Sequence, residues 1–221
     1  FGPVWRSMPN LTTTRGDKPR LVGPYLKSCE IVRDLGAELV VTGHGEPVRG
    51  GERIRADIQA MHDAVQWIEQ ETIKGMNEGR TVYDLMQSIH LPADRKIGEF
   101  HGQTRWTVRA VWEENGNWFK YEDGTTALFG SPRSAVDADV VELAGGADRV
   151  AARAKVRLDA DQPLEALHLC DIALSVDPAE PAALAVKKHA CQLLLARGGN
   201  QNLSETMWLK AEIAEAEKAL G

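Results

Sequence analysis

The sequence predicts a mostly helical protein in which a short α/β stretch precedes an all-helical region. Three observations carry that expectation. Residues 51–77 hold an unbroken helical stripe, with Ile54, Ile58, Met61, Val65, Ile68, Thr72 and Met76 spaced by threes and fours. Glu38-Leu39-Val40-Val41-Thr42 is a short β-branched run that stops at Gly43-His44-Gly45-Glu46-Pro47. After Asp139 the composition turns to Ala and Leu, with breaks at Asp161-Gln162 and Asp177-Pro178 that mark off segments of helix length. At 221 residues the chain has room for one large domain or two small ones.

Taken in order, Pro24 to Gly36 reads as a helix, because Tyr25, Cys29 and Val32 share one face and Gly36 is a natural stop. The strand at 38–42 then places His44 on a loop at its C-terminal end, where ligands sit in layered α/β folds. Flanking glycines give that imidazole room, and two readings stand side by side: a ligand, or a turn that contains a histidine. The long helix ends at Glu78-Gly79. Thr81 caps a shorter one through Ser88, with Val82, Leu85, Met86 and Ile89 apolar, and Leu91-Pro92 stops it. Gly102 to Glu114 is predicted helical, with Trp106, Val108, Val111 and Trp112 as its bulk. Trp118 to Phe129 is a hairpin or an ordered loop, and Ser131 to Asp139 reads as a linker.

Helices are expected over Ala147–Ala160, Pro163–Val176 and Glu180–Ala196. The run from Ala166 to Pro178 resembles the second helix of a tetratricopeptide repeat, although only about one and a half units of that period are present. Gly198-Gly199-Asn200 breaks the pattern, and Ser204 is expected to cap a last helix with Trp208, Leu209, Ile213 and Leu220 on its apolar side.

The composition excludes several classes. Hydrophobic residues are 43% and charged residues 26%, which is ordinary for a globular protein and rules out wholesale disorder. A net charge of -6 gives no basic face for nucleic acid. No apolar run approaches the roughly 18 residues of a membrane span. Cys29, Cys170 and Cys191 form no CxxC pair and read as small buried hydrophobes; unpaired thiols favour a cytoplasmic over a periplasmic location. The opening FGPVWRSMPN lacks a signal-peptide pattern and does not begin with Met, so the chain is expected to be a piece of a longer protein. Among six histidines no HxH, HExxH or HxxxH pair occurs. His62, His168 and His189 are expected to be surface or internally satisfied helix residues, and His90 lies near a helix end.

A set of strings carries a family resemblance. They are Pro9-Asn10-Leu11-Thr12-Thr13-Thr14-Arg15-Gly16, the Gly-His-Gly-x-Pro loop, Ile73-Lys74-Gly75-Met76-Asn77-Glu78-Gly79, Glu99-Phe100-His101-Gly102, Trp106-Thr107-Val108-Arg109-Ala110-Val111-Trp112 and Glu142-Leu143-Ala144-Gly145-Gly146-Ala147-Asp148. In this order the chain resembles the C-terminal part of alkylsulfatase-type enzymes of the metallo-β-lactamase superfamily. The resemblance implies that residues 1–78 are the C-terminal remnant of an αββα catalytic domain. It implies that residues 79–221 are an all-helical, tetratricopeptide-like alkyl sulfatase dimerisation domain forming a homodimer. It further implies a two-zinc hydrolase in which His44 ligates one metal while Asn10 and Arg15 hold the sulfate of a small anionic ester. A neutral imidazole is a good zinc ligand, and an Arg fork with an amide can donate several hydrogen bonds to a tetrahedral oxyanion. A structural Arg15, paired with Asp17 or a carbonyl, is the alternative.

The chain also departs from the family. The HxHxDH motif is absent, and no Asp or Glu occurs from Phe1 to Asn10. Zinc sites use three or four protein ligands, so His44 alone is expected to hold zinc poorly or not at all, and this chain alone is expected to be inactive. Arg20 stands where the family often has His, and Asn117-Trp118-Phe119-Lys120 replaces an expected Gly-Trp-Phe-Asp stretch. The leading reading is the C-terminal part of a zinc-dependent sulfuric ester hydrolase. The alternatives are a non-catalytic helical dimerisation or protein-binding module, and a metallo-β-lactamase-fold hydrolase of another ester or lactam class.

Overall fold

A computed structural model of the chain describes residues 5–12, 20–43, 45–116 and 124–221. The described residues form nine α-helices and one two-stranded sheet, as a mostly helical chain requires. They pack as two compact units, residues 1–118 and 119–221.

The first unit is built on α2 (Gly51–Asn77), whose limits match the predicted stripe. Ile54, Ile58, Met61, Val65, Ile68 and Thr72 are buried along it, with α1 (Val22–Asp34) and α4 (Thr104–Asn115) packed against it. Strands β1 (Leu39–Val40) and β2 (Val48–Arg49) pair antiparallel, Leu39 opposite Arg49 and Val40 opposite Val48. Gly43 and Gly45 to Pro47 therefore fall in the connection between the two strands; His44 lies outside the described residues. Helix α3 (Val82–Ser88) starts at the predicted Thr81, where a capping box satisfies both ends of the turn: the Thr81 hydroxyl accepts from the Asp84 amide and the Asp84 carboxylate accepts from the Thr81 amide.

Two starts differ from expectation, and in both a carboxylate from elsewhere explains why. Helix α1 begins at Val22 because Glu114 of α4 accepts from the Val22 amide at 2.6 Å. Helix α4 begins at Thr104 because Glu99 accepts from the Thr104 amide at 2.8 Å.

The second unit runs through α5 (Asp137–Ala144), α6 (Ala147–Asp159), α7 (Pro163–Val176), α8 (Pro181–Gly198) and α9 (Leu203–Leu220). The pairs α6–α7, α7–α8 and α8–α9 pack together, as in stacked helical hairpins. Proline opens α7 and α8, where a missing N–H costs nothing. The expected linker 131–139 is a 3-10 turn (Arg133–Val136) running into α5. Within 118–129, residues 118–123 lie outside the described residues, and Thr125–Phe129 is a 3-10 turn rather than a strand. The cap of α9 is Asn202, not Ser204: its side chain accepts from the Glu205 amide at 3.0 Å. Leu209 faces inward as expected, whereas Trp208 and Leu220 are exposed.

Cys29, Cys170 and Cys191 are all buried free thiols, and burial pushes the Cys170 thiol up to about 12. Among the described residues no helix is long and apolar enough to cross a membrane.

Candidate functional site

Of the three residues the sequence assigns to a site, the described structure contains Asn10; Arg15 and His44 lie outside the described residues. The geometry around Asn10 starts with how residues 5–12 are held. Trp5 donates its indole N–H to Asp57 Oδ2 at 2.6 Å, and Arg6 and Arg53 flank the same carboxylate. Ser7 then pairs with Gly98 in a parallel bridge: the Met8 amide donates to Gly98 O at 2.6 Å and the Gly98 amide to Arg6 O at 3.1 Å. The Ser7 hydroxyl donates to Gly98 O at 2.9 Å and accepts from the Phe100 amide at 3.1 Å. Met8 and Leu11 sink into the core on either side of Asn10. With those two anchors buried and the backbone paired, residues 9 and 10 have little freedom left.

Gly102 completes the clasp. A Cβ at that position would stand 2.0 Å from Pro9 O and 2.6 Å from Pro9 C, so only glycine lets the two backbones come this close. Asn10 O accepts from Arg20 Nη1 at 2.6 Å, and the Arg20 amide donates to Leu11 O at 2.9 Å. These bonds draw together the ends of the segment that carries Arg15. The Asn10 Oδ1 atom is buried and has no hydrogen-bond partner among the described residues. A buried unpaired polar atom costs about 1–3 kcal/mol, which is what a site completed by a ligand looks like from the protein side. Oxygen and nitrogen of a terminal amide exchange by a flip about χ2, so this side chain can present a donor to an anion at the same place.

Helix α1 begins two residues after Arg20, and the positive end of a helix is an anion site in many proteins. Here it is taken: Glu114 accepts from both the Val22 and Gly23 amides. Beside it, the Arg20 guanidinium sits against the Asn10 carbonyl.

The other histidines fall as follows. His90, His168 and His189 are exposed. His62 differs from the expected surface or satisfied residue: it is buried between α1 and α2, with Nδ1 3.2 Å from Asp63 Oδ1 and Nε2 3.7 Å from Glu30 Oε1 and without a hydrogen bond among the described residues. Its neighbours Met61 and Val65 are both buried, so the buried face of α2 is wide enough to include it. Among the described residues no group of three or more His, Cys, Asp or Glu is placed to hold a metal ion.

Sequence reasoning missed the Gly98–Gly102 clasp, the Arg20–Asn10 contact and the Glu114 cap. The one available signal was a pair of glycines at 98 and 102 that end no predicted helix.

Comparison with known proteins places the larger part of the chain in a family. The sequence pattern of alkyl sulfatase dimerisation matches residues 81–215. A linear primary-alkylsulfatase from a Pseudomonas species is 28% identical over 149 residues, covering 65% of this chain and 28% of that protein. An alkyl/aryl-sulfatase of Saccharomyces cerevisiae is 25% identical over 158 residues, covering 68% of this chain and 24% of that protein. The solved structure of a stereoselective inverting sec-alkylsulfatase from Pseudomonas matches 96% of this chain with a TM-score of 0.81 at 22% identity, and the match covers 34% of that chain. The chain thus spans about a third or less of the length of the relatives it matches.

Proposed function

The chain belongs to the alkyl sulfatase dimerisation family, and on that premise we propose that it is the C-terminal portion of a zinc-dependent hydrolase that cleaves sulfuric esters. The observation that carries this reading is the family match over residues 81–215, a span that includes the Gly98–Gly102 clasp on the Asn10 segment. In this reading residues 1–78 close the catalytic domain and residues 79–221 supply the two-fold interface. Asn10 and Arg15 hold the sulfate oxygens, and His44 is one ligand of a zinc pair. The described residues do not by themselves make up a zinc site. In this reading the other metal ligands come from elsewhere in a longer protein, since the sequence carries no HxHxDH motif, and this chain contributes binding and assembly.

The physical case for the anion pocket rests on hydrogen-bond arithmetic. A sulfate monoester presents three oxygens sharing one negative charge. A guanidinium offers five N–H donors in a planar fork and an amide two more, and charge-assisted bonds of this kind are roughly twice as strong as neutral ones. The clasp fixes the Asn10 backbone before any ligand arrives, so little ordering entropy is lost on binding.

Calorimetric titration of the purified chain with sodium sulfate tests the pocket. Asn10→Ala and Arg15→Ala are each expected to weaken binding at least about tenfold, the loss of one charge-assisted bond. Metal analysis of the same preparation is expected to give less than one tightly bound zinc per chain. Two tightly held zinc ions per chain would overturn the assignment of the remaining ligands to residues elsewhere. A second reading, a helical dimerisation module with no part in ester binding, rests on the same family match. It gains if neither substitution changes sulfate affinity.

A further inference from the structure

We infer that Glu114 shifts the preference of the anion pocket toward a singly charged sulfuric ester and against the doubly charged sulfate that its hydrolysis releases. The inference rests on the pocket reading above and deepens it by naming a residue that selects by charge.

Helix α1 begins beside the pocket. The Arg20 side chain donates to Asn10 O at 2.6 Å, and the Arg20 amide to Leu11 O at 2.9 Å. Val22 follows two residues later, no more than about 8 Å of chain away. Its amide donates to Glu114 Oε2 at 2.6 Å, and the Gly23 amide to Oε1 at 3.5 Å. A half-buried carboxylate from α4 is thus fixed on the order of 10 Å from the Asn10 segment, about one Debye length.

That charge is not cancelled where it sits. The N-terminal end of a helix carries about half a positive charge, so one full carboxylate leaves the pair negative. Arg109 of α4 pairs with Glu113 at 2.7 Å rather than with Glu114. The field also reaches α2: burial first, and then the Glu114 charge, push the Glu69 carboxyl above its ordinary value.

Hydrolysis changes the charge that this carboxylate faces. A sulfuric ester carries one negative charge. Water adds and the alcohol leaves, so the products are the alcohol, sulfate with two negative charges, and a proton. Guanidinium groups in the pocket draw the doubly charged ion more strongly than the ester. A fixed carboxylate repels that ion twice as strongly as the ester, and so offsets the bias. Ester and ion offer the pocket the same kind of oxygen, which leaves charge as the property that separates them.

Calorimetric titration of the full chain with methyl sulfate and with sodium sulfate, at matched ionic strength, tests the inference. Glu114→Gln removes the charge and keeps an oxygen for the Val22 amide, so helix content by circular dichroism is expected to hold. The variant is expected to bind both anions more tightly. At low salt the gain for sulfate is expected to exceed the gain for methyl sulfate by about threefold to tenfold, and the gap is expected to close at high salt. Loss of a merely structural contact would weaken both anions. Glu114→Asp keeps the charge and is expected to keep the wild-type ratio of affinities. Glu69 lies within α2 and caps no helix, so Glu69→Gln is expected to move the ratio in the same direction by less. An unchanged ratio in the folded variants, or weaker binding of both anions in Glu114→Gln, would overturn the role of Glu114 alone. If the wild type binds neither anion in a way that Asn10→Ala weakens, the pocket reading falls and this inference with it.

Discussion

The two units of this chain bury different kinds of residue. Each of the largest fully buried side chains belongs to the first unit, among them Met8, Ile54, Ile58, Met61, Ile68 and Leu85. The second unit closes on small ones: Ala151, Ala154, Ala166, Cys170, Ala173, Ala183 and Ala190 are fully buried. The first interior is filled by volume and assembled from distant parts of the chain, with Met8 hydrogen-bonded to Gly98 and Val22 to Glu114. The second is made by close approach of helices adjacent in sequence. Small residues let helix axes come together, and the buried area per residue is modest. A site that must hold an amide in place fits the first design, because segments from both ends of that unit are tied to one another. A stacking or pairing surface fits the second, because each helix needs only its neighbours.

The sharpest way to break this comparison is to exchange the defects. Ile58→Ala in the first unit leaves a cavity at a fully buried position and is expected to cost about 2–5 kcal/mol. Ala173→Leu in the second unit pushes atoms into a fully buried contact and is expected to cost about 1–3 kcal/mol. Urea titrations followed by circular dichroism measure both. If Ala173→Leu proved neutral, the second interior would have spare volume and the contrast between the units would be wrong.

Two glycines in the first unit sharpen it further. At Gly102 an added Cβ meets the Pro9 carbonyl, backbone against backbone. At Gly75 it meets Leu85 Cδ2 at 2.3 Å, the end of a side chain that can turn aside. Gly102→Ala is expected to lie near the upper end of the 1–3 kcal/mol range for overpacking and to weaken sulfate binding along with Asn10→Ala. Gly75→Ala is expected to cost about 1 kcal/mol less, because alanine in a helix regains roughly that amount over glycine. Equal sulfate affinity in wild type and Gly102→Ala would separate the clasp from the pocket.

What could be read in the sequence follows the same division of local from distant. Helix α2 was legible to its end residues because its stripe runs unbroken from Ile54 to Thr72 and a Glu-Gly pair stops it. Helix α7 was legible because Pro163 opens it and Asp177-Pro178 closes it. Helix α5 was not: with only Val141 inside, it has no buried stripe to detect, and its apolar side faces outward. His62 lies off the single stripe that the 3, 4 spacing predicts along α2, yet it is buried because the buried face of that helix also takes in Ala64 and His62. The clasp on Asn10 joins residues about ninety positions apart, and no periodicity reports such a contact. Asn10 itself was found through family resemblance. That its side-chain oxygen is buried without a hydrogen-bond partner among the described residues became visible only with the fold.

The smallest effect separates the units by pH. Thr81 caps α3 in the first unit, and its partner Asp84 is a carboxylate held below its ordinary value by the Thr81 hydroxyl, then by the Thr81 amide. A carboxyl group whose value is depressed by folding stabilises the native state above its unfolded value, near 3.9, and loses that contribution as the pH falls through the folded value. Asn202 caps α9 in the second unit with an amide, which takes up no proton in this range. Thr81→Ala and Asn202→Ala are each expected to cost about 1 kcal/mol near pH 7. Between pH 5 and pH 3 the cost of Thr81→Ala is expected to shrink without vanishing, since the Thr81 oxygen still accepts from the Asp84 amide in the wild type. The cost of Asn202→Ala is expected to stay level over the same interval. Melting temperatures of the three proteins across that range measure the difference. Parallel curves for the two variants would show that the Asp84 charge adds nothing to the α3 cap.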